Sequence, residues 1–130
     1  MFGGAVVLVV GQIVQRFYLE PIQEQRRIIG EIAYALIYDA NVVRGLFVEE
    51  RVKDTVTRLR RLASSLRATV RTIPSYGFFA RQGWVPPADN VMRASTHLIG
   101  WSNGLSERDG GMNRQRREHI ARELDIRIEL

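Results

Sequence analysis

The chain has 130 residues, of which 45% are hydrophobic and 25% charged, and it carries a net charge of +5. This size and balance fit one folded domain of modest size and exclude a globally disordered chain. The chain contains no cysteine, so disulfides, thiolate metal sites and a cysteine nucleophile are excluded.

The N-terminal segment has the composition of a membrane span. Between Phe2 and Val14 only Gln12 interrupts a run of apolar and small residues, and no charge precedes Arg16. A spanning helix needs about 20 residues, with a working range of about 17–25. We therefore predict a transmembrane anchor over residues 1–20, in which Arg16 extends its guanidinium to the headgroups. The predicted span contains Phe2, Val6, Val7, Leu8, Val9, Val10, Ile13 and Val14.

Three alternatives stay open for this segment. A secretory signal would carry a positive start and a small-residue cleavage site, and the segment shows neither pattern. A helix buried in the fold would show a polar stripe, whereas Phe2–Val10 is apolar on all sides. A start that shortens a longer span would strengthen the membrane interpretation. Arg16, Arg26 and Arg27 follow the span, so the positive-inside rule predicts an outside N-terminus and a cytoplasmic domain over 21–130.

Helical periodicity dominates residues 21–73. Pro21 suits the first turn of a new helix, or kinks a continuing one, and Gly45 is expected to end or bend that helix. Apolar residues then recur at spacings of three and four, as on one face of a helix. They are Ile29, Ala33, Leu36, Ala40, Val43 and Phe47, widened by Ile28, Ile32 and Val42, and then Val52, Val56, Leu59, Ala63, Leu66, Val70 and Ile73. Two such helices joined by a short connection predict an antiparallel hairpin.

Pro74 is expected to end the second helix, and the aromatic segment 74–87 is expected to be a connection. A third helix is predicted over about 90–102, with Val91, Ala94, Leu98 and Trp101 on one face. We predict a turn-rich break over 102–111, a more polar helix at about 112–124, and a frayed or helical tail. The predicted fold is all-α: a transmembrane helix followed by a small antiparallel bundle of a helical hairpin and two shorter helices.

The second long helix has the most basic surface. Residues 51–71 hold seven basic residues and one acid, and four of the basic residues form a stripe beside the apolar seam: Lys53, Arg60, Arg67 and Arg71. The stripe is either a solvated face or a surface for the phosphates of anionic lipid or nucleic acid. Lipid is favoured over nucleic acid because the sequence shows no DNA- or RNA-binding motif.

The aromatic connection offers a second candidate surface, formed by Tyr76, Phe78, Phe79 and Trp84. If the hairpin is antiparallel, these residues return toward the headgroups together with Arg67 and Arg71, which predicts an interfacial contact. The same segment has two other interpretations: a protein-docking loop, or aromatic residues that fill the end of the bundle.

The sequence gives no pattern for catalysis, metal binding or a cofactor. His97 and His119 lack the Glu-x-x-His ligand pattern and are expected to be ordinary side chains. Glu20, Glu24 and Glu31 are expected to be surface charges. We predict a protein that is not an enzyme.

Three segments carry a resemblance: EPIQEQRRIIGEIAYALIY, SYGFFARQGWVPP and STHLIGWSNGL. With the apolar start, they resemble a group of short bacterial single-pass membrane proteins with a helical cytoplasmic domain. The resemblance implies a topology but no activity or residue roles. The predicted function is a membrane-anchored, non-enzymatic interaction or scaffold protein with a protein partner or self-association. The alternative is a regulator that binds anionic lipid or nucleic acid through the arginine-rich helix.

Overall fold

The computed structural model describes residues 2–43, 49–107 and 110–126, and the regular elements in these ranges are all helical. The all-α prediction is therefore confirmed. The elements in chain order are α1 (Phe2–Val14), a π-helical turn (Gln15–Leu19), α2 (Glu20–Val43), α3 (Glu49–Thr72), α4 (Tyr76–Arg81), α5 (Ala88–Glu107) and α6 (Gly110–Glu123).

A single uninterrupted helix is formed by α1, the π turn and α2. The N–H of Glu20 donates to the carbonyl of Gln15, five residues earlier, so this turn contains one extra residue. Pro21 follows at once in the first turn of α2. A proline ring clashes with the carbonyl four residues before it in a regular helix. The wider turn gives room for that ring, and the helix passes Pro21 without ending.

The α2 and α3 helices pack as the predicted antiparallel hairpin. Near the beginning of α2, Nε2 of Gln25 donates to Oγ1 of Thr69, near the end of α3, at 3.1 Å. The apolar seam of α3 faces inward: Val56, Leu59, Ala63, Leu66 and Ile73 are buried, and Val70 is partly buried. Val52 lies outside the described side chains.

The buried face of α2 is turned relative to the predicted one. Ile29 and Ala33, expected at its centre, are only partly buried. Ile28 and Ile32, expected at its edge, lie at its centre, and Gln25 is buried with them one turn earlier. The buried residues are Ile22, Gln25, Ile28, Ile32, Ala35 and Leu36. The predicted positions Ala40, Val42, Val43, Gly45 and Phe47 lie outside the described side chains.

The α5 helix lies between α3 and α6 and packs most extensively against both. The Tyr76 hydroxyl, just after α3, donates to the carbonyl of Pro86, just before α5. Farther along the pair, Arg60 of α3 donates to Oδ1 of Asn103 near the end of α5 at 2.9 Å. The two helices are therefore antiparallel. Asn90, at the start of α5, donates to the carbonyl of Glu123 at the end of α6 at 3.2 Å. The four predicted face residues of α5, Val91, Ala94, Leu98 and Trp101, are all buried. The long helices α2, α3, α5 and α6 thus run up and down in chain order.

Two predicted boundaries are wrong. The connection 74–87 contains the short helix α4 (Tyr76–Arg81). The predicted break at 102–111 begins too early, because α5 continues to Glu107 and buries Ser102 and Leu105. Residues 108–109 and the last four residues of the tail, 127–130, lie outside the described chain.

Candidate functional site

The N-terminal part of the long helix exposes apolar side chains all around. Val7 is 70% exposed and Leu8 is 68% exposed. Exposed apolar positions continue to the π turn: Val6, Val9, Val10, Ile13, Val14 and Phe17. The side chain of Phe2 lies outside those described. Among the described residues one helix, Gly4–Ile37, is long and apolar enough to cross a membrane by length and composition, and only 6% of its most apolar window is buried. This apolar segment is therefore not part of the chain's own core.

An aromatic cluster adjoins the end of this exposed segment. The cluster consists of Tyr18, Phe78, Phe79 and Trp84. The ring centroid of Phe79 lies 5.8 Å from Tyr18, 5.4 Å from Phe78 and 5.6 Å from Trp84. Phe78 is 59% exposed and Trp84 is 50% exposed. Three of the four predicted loop aromatics therefore lie together at the level where the exposed apolar surface ends.

Tyr76, the fourth predicted aromatic, is not part of this surface because it is only 7% exposed. Its hydroxyl donates to the carbonyl of Pro86 at 2.6 Å and accepts from Nε2 of Gln25 at 2.9 Å. Burial raises the pKa of Tyr76, although its hydrogen bond from Gln25 acts in the opposite direction. Tyr76 is a structural residue that joins α2 to the connection between α4 and α5.

Gln25 is a buried polar residue that the sequence pattern did not reveal. The Thr69 hydroxyl donates to the carbonyl of Leu66 at 2.5 Å, and the Tyr76 hydroxyl donates to Pro86. Both hydroxyls therefore accept from the amide nitrogen of Gln25. Its Oε1 has no hydrogen-bond partner among the described residues. The spacing of Gln25 in the sequence could have indicated its burial, because Gln25 lies three residues after Ile22 and three before Ile28, and both isoleucines are buried.

All four members of the predicted basic stripe are exposed: Lys53, Arg60, Arg67 and Arg71. None of them forms an ion pair with a described residue. Thr69, whose hydroxyl contacts Gln25, lies between Arg67 and Arg71. The antiparallel hairpin thus brings the last two arginines of the stripe to the same end of the bundle as the aromatic cluster.

A groove of about 520 Å³ opens at this end of the bundle. Its walls are the first turns of α2, the segment from the end of α4 to the start of α5, and the end of α6. The charged residues that line it are Arg26, Arg122, Glu123 and Asp125, and Ile29, Trp84, Val85 and Leu124 supply apolar surface. The groove was not predicted from the sequence because its walls are far apart in the chain.

The Trp84 wall of the groove is held by the C-terminal cap of α4. The N–H of Trp84 donates to the carbonyl of Phe79 at 3.0 Å, and the N–H of Gly83 donates to that of Ala80 at 3.2 Å. This is the hydrogen-bond pattern of a Schellman motif, whose turning residue has a positive φ. Gly83 has a φ of 79°, which glycine adopts without steric cost.

The end of α6 repeats this cap with an aspartate in the turning position. The N–H of Ile126 donates to the carbonyl of Ala121 at 2.8 Å, and the N–H of Asp125 donates to that of Arg122 at 3.3 Å. Asp125 has a φ of 53°. Aspartate is among the few residues other than glycine that visit this region. The cap sets Asp125 beside Arg122 on the groove wall.

The two histidines form a contact between α5 and α6. The rings of His97 and His119 are stacked with centroids 4.8 Å apart. Burial lowers the pKa of His97, and the neighbouring His119 and Arg116 lower it further, while Glu123 acts in the opposite direction. Within the described ranges no group of three His, Cys, Asp or Glu residues could hold a metal ion.

Comparisons with protein-family models, with curated proteins and with solved structures find no match to this chain. The resemblance to short bacterial membrane proteins therefore stays a prediction. The features that bear on function are the exposed apolar helix, the aromatic cluster, the basic stripe and the groove.

Proposed function

We propose that the protein is a membrane-anchored, non-enzymatic interaction module: α1 and the π turn span the bilayer and α2–α6 form a domain on the cytoplasmic side. The exposed apolar surface from Val6 to Leu19 carries this proposal. In water that surface would be a large contiguous apolar patch, which soluble monomers rarely expose. In a bilayer the same surface meets hydrocarbon.

The dimensions support a span. Phe2–Leu19 rises about 27 Å at 1.5 Å per residue, close to the hydrocarbon thickness of about 30 Å. Arg16 lies near the end of this length, from which its long side chain extends to the headgroups. The aromatic cluster lies at the same level as Arg16, through Tyr18. Membrane proteins carry belts of aromatic residues at this level, the membrane–water interface.

The distribution of charge supports the cytoplasmic orientation. The sequence places Arg16 near the end of the span and Arg26 and Arg27 just after it. The fold adds Arg71, from the end of α3, and Arg81, at the end of α4, to the same end of the bundle. Positive charge close to the end of a span favours retention on the cytoplasmic side.

The surface for a protein partner lies on the outer side of α2. The apolar seam of α3 is buried inside the chain, so self-association through that seam would require the hairpin to open. Ile37 is 50% exposed and Tyr34 is 57% exposed. These side chains stand about 22–27 Å along the helix from Leu19, beyond the headgroup region.

Membrane fractionation in a bacterial host tests the anchor. We expect the protein to stay in the membrane after an alkaline carbonate wash, and the C-terminal domain to be protected from protease in intact spheroplasts. The double substitution Val7→Arg and Val10→Arg should release the protein, because each charge at the centre of a span costs about 3 kcal/mol. A Lys53→Gln variant is the control. Release of the wild-type protein by carbonate would refute the anchor.

Site-specific photo-crosslinking at Ile37 tests the interaction surface. We expect discrete adducts from Ile37 and none from the exposed position Arg61 on α3, which serves as the control. Equal labelling at both positions would contradict a partner on α2.

The exposure of the basic stripe favours a second candidate, a regulator that binds phosphates of anionic lipid or nucleic acid. Binding through the stripe would weaken steeply with salt and would fail when Arg60, Arg67 and Arg71 become glutamine. Full-chain protein in neutral detergent, titrated separately with anionic lipid and with duplex DNA, distinguishes the two ligands. Unchanged binding by the glutamine variant would exclude the stripe.

A further inference from the structure

The groove at the membrane-facing end of the bundle has the size and lining of a binding site. Its volume of about 520 Å³ lies in the range of about 300–1,000 Å³ that is typical of small-molecule sites. One wall carries Trp84, a member of the aromatic cluster whose ring centroid lies 5.6 Å from that of Phe79. Another carries Arg26, which lies seven residues after Leu19, about 10 Å along the helix. The groove therefore adjoins the headgroup layer if the helix spans the membrane as proposed.

The charged side chains that line the groove differ in whether they have a partner among the described residues. Glu123 forms an ion pair with Arg93 of α5, whose Nε lies 3.2 Å from Oε1 of Glu123. Arg26 and Arg122 have no hydrogen-bond or ion-pair partner among the described residues. The carboxylate of Asp125 is similarly unpaired within that part of the chain. The groove thus offers two guanidinium groups and one carboxylate.

This set complements a zwitterion that contains a phosphate and an ammonium group. Guanidinium groups bind phosphate oxygens through paired, charge-assisted hydrogen bonds. A carboxylate accepts hydrogen bonds from an ammonium N–H. We infer that the groove binds the phosphoethanolamine headgroup of a membrane phospholipid, with its phosphate at Arg26 and Arg122 and its ammonium at Asp125. Ile29, Trp84 and Leu124 face the glycerol and the first acyl carbons.

Such a site would have a headgroup preference that general membrane attraction does not produce. Choline differs from ethanolamine in having no N–H to donate, while the charges of the two headgroups are the same. Loss of a charge-assisted hydrogen bond corresponds to about a tenfold or larger loss of affinity. The groove should therefore prefer the ethanolamine lipid over the choline lipid by about tenfold.

The test uses the full chain in neutral maltoside micelles, titrated with dihexanoyl phosphatidylethanolamine or dihexanoyl phosphatidylcholine. Tryptophan fluorescence reports binding: Trp84 lines the groove, whereas Trp101 is buried in the core and gives a constant signal. We expect saturable binding of the ethanolamine lipid and about tenfold weaker binding of the choline lipid. Equal affinities, or no saturable change, would overturn the inference.

Three variants assign the contacts. The double variant Arg26→Gln and Arg122→Gln should bind each of the two lipids about tenfold or more weakly than the wild type does. Asp125→Asn, which tolerates the same backbone conformation, should reduce the preference for ethanolamine to about twofold or less. Arg27→Gln is the matched control, because Arg27 pairs with Glu24 and Glu31 and does not line the groove. Weakening by Arg27→Gln equal to that of the double variant would show that the effect is general electrostatics and would refute the site.

Two further measurements distinguish a lipid from a soluble ligand, and the groove from the anchor. Free phosphoethanolamine should bind far more weakly than the lipid; equal affinity would assign the groove to a soluble phosphoester and overturn the lipid assignment. The groove inference rests on the membrane placement proposed above, so the same variants are fractionated with carbonate. Release of the wild-type chain defeats the proposed function, whereas retention without an ethanolamine preference defeats the groove inference alone.

Discussion

Replacement of Tyr76 by phenylalanine removes one buried hydroxyl and leaves the ring in place. That hydroxyl makes two hydrogen bonds, at 2.6 Å to the Pro86 carbonyl and at 2.9 Å from Gln25. A buried hydrogen bond contributes about 1 kcal/mol net, and a buried group left unpaired costs about 1–3 kcal/mol. Pro86 is partly buried, while Gln25 is fully buried. We therefore expect Tyr76→Phe to lower the free energy of unfolding by about 2–3 kcal/mol.

Urea denaturation of the full chain in neutral maltoside micelles, followed by circular dichroism, measures this change. The midpoint should fall while the denaturant slope stays constant. Tyr18→Phe is the matched control, because the Tyr18 ring contacts Phe79 and its hydroxyl makes no hydrogen bond to the described residues. The control should stay within about 0.5 kcal/mol of wild type. A Tyr76→Phe loss as small as that of the control would refute the role of this hydroxyl.

A double-mutant cycle with Gln25→Met separates the two bonds. In that background the Tyr76 hydroxyl retains only its bond to Pro86, so Tyr76→Phe should cost about 1 kcal/mol less than in the wild type. Additive effects would show that the Gln25–Tyr76 bond contributes nothing to stability.

Three other predictions concern stability and are measured in the same way. Leu66→Ala should cost about 2–5 kcal/mol because Leu66 is completely buried in the α3 seam; a loss under about 1 kcal/mol would contradict its place in the core. Asp125→Gly should stabilise the protein by about 0.5 kcal/mol, since glycine adopts the positive φ of this cap without steric cost; a destabilised variant would contradict the cap assignment. The pKa of His97 is lowered in the folded protein, so the folded state binds a proton less readily than the unfolded state. Stability should therefore be full above about pH 6.5 and should fall as the pH drops below it, with a smaller fall in His119→Gln; urea midpoints that do not change between about pH 7.5 and about pH 5 would refute this.

The periodic segments allowed the long helices to be predicted. The α3 seam and the α5 face repeat apolar residues so regularly that both were identified correctly. The predicted buried face of α2 differs from the observed one because the polar residue Gln25 interrupts the apolar pattern. The hydrogen-bond partners of Gln25, Thr69 and Tyr76, lie 44 and 51 residues away in the sequence. Hydrogen-bond partners at such separations leave no local pattern.

Local rules also failed where tertiary packing decides the boundary. The sequence over 102–107 has the composition of a turn, yet α5 continues there because α5 buries Ser102 and Leu105. Pro74 ends α3 as expected, but a new helix begins two residues later. The candidate site was predicted in part: the exposed aromatics and the basic stripe follow from residue type and helix direction. The groove depends on three distant segments and could not be predicted from any one of them.

The continuous helix formed by α1, the π turn and α2 fixes the rotation of α1 about its axis relative to the bundle. Because α1 and α2 belong to one helix, the face that α1 presents to its surroundings is set in phase with the face that α2 presents to α3. One residue corresponds to about 100° of rotation around a helix. The π turn spreads about one rotation over an extra residue, so removal of a single residue from Gln15–Leu19 would restore a regular turn and change the rotation of α1 relative to the bundle only slightly. Removal of a residue from the regular part of α2 that precedes Gln25 would instead rotate α1 by about 100° relative to the bundle. If α1 spans the bilayer as proposed, a rotation of α1 about its axis is transmitted through this continuous helix to the base of the hairpin, beside Gln25.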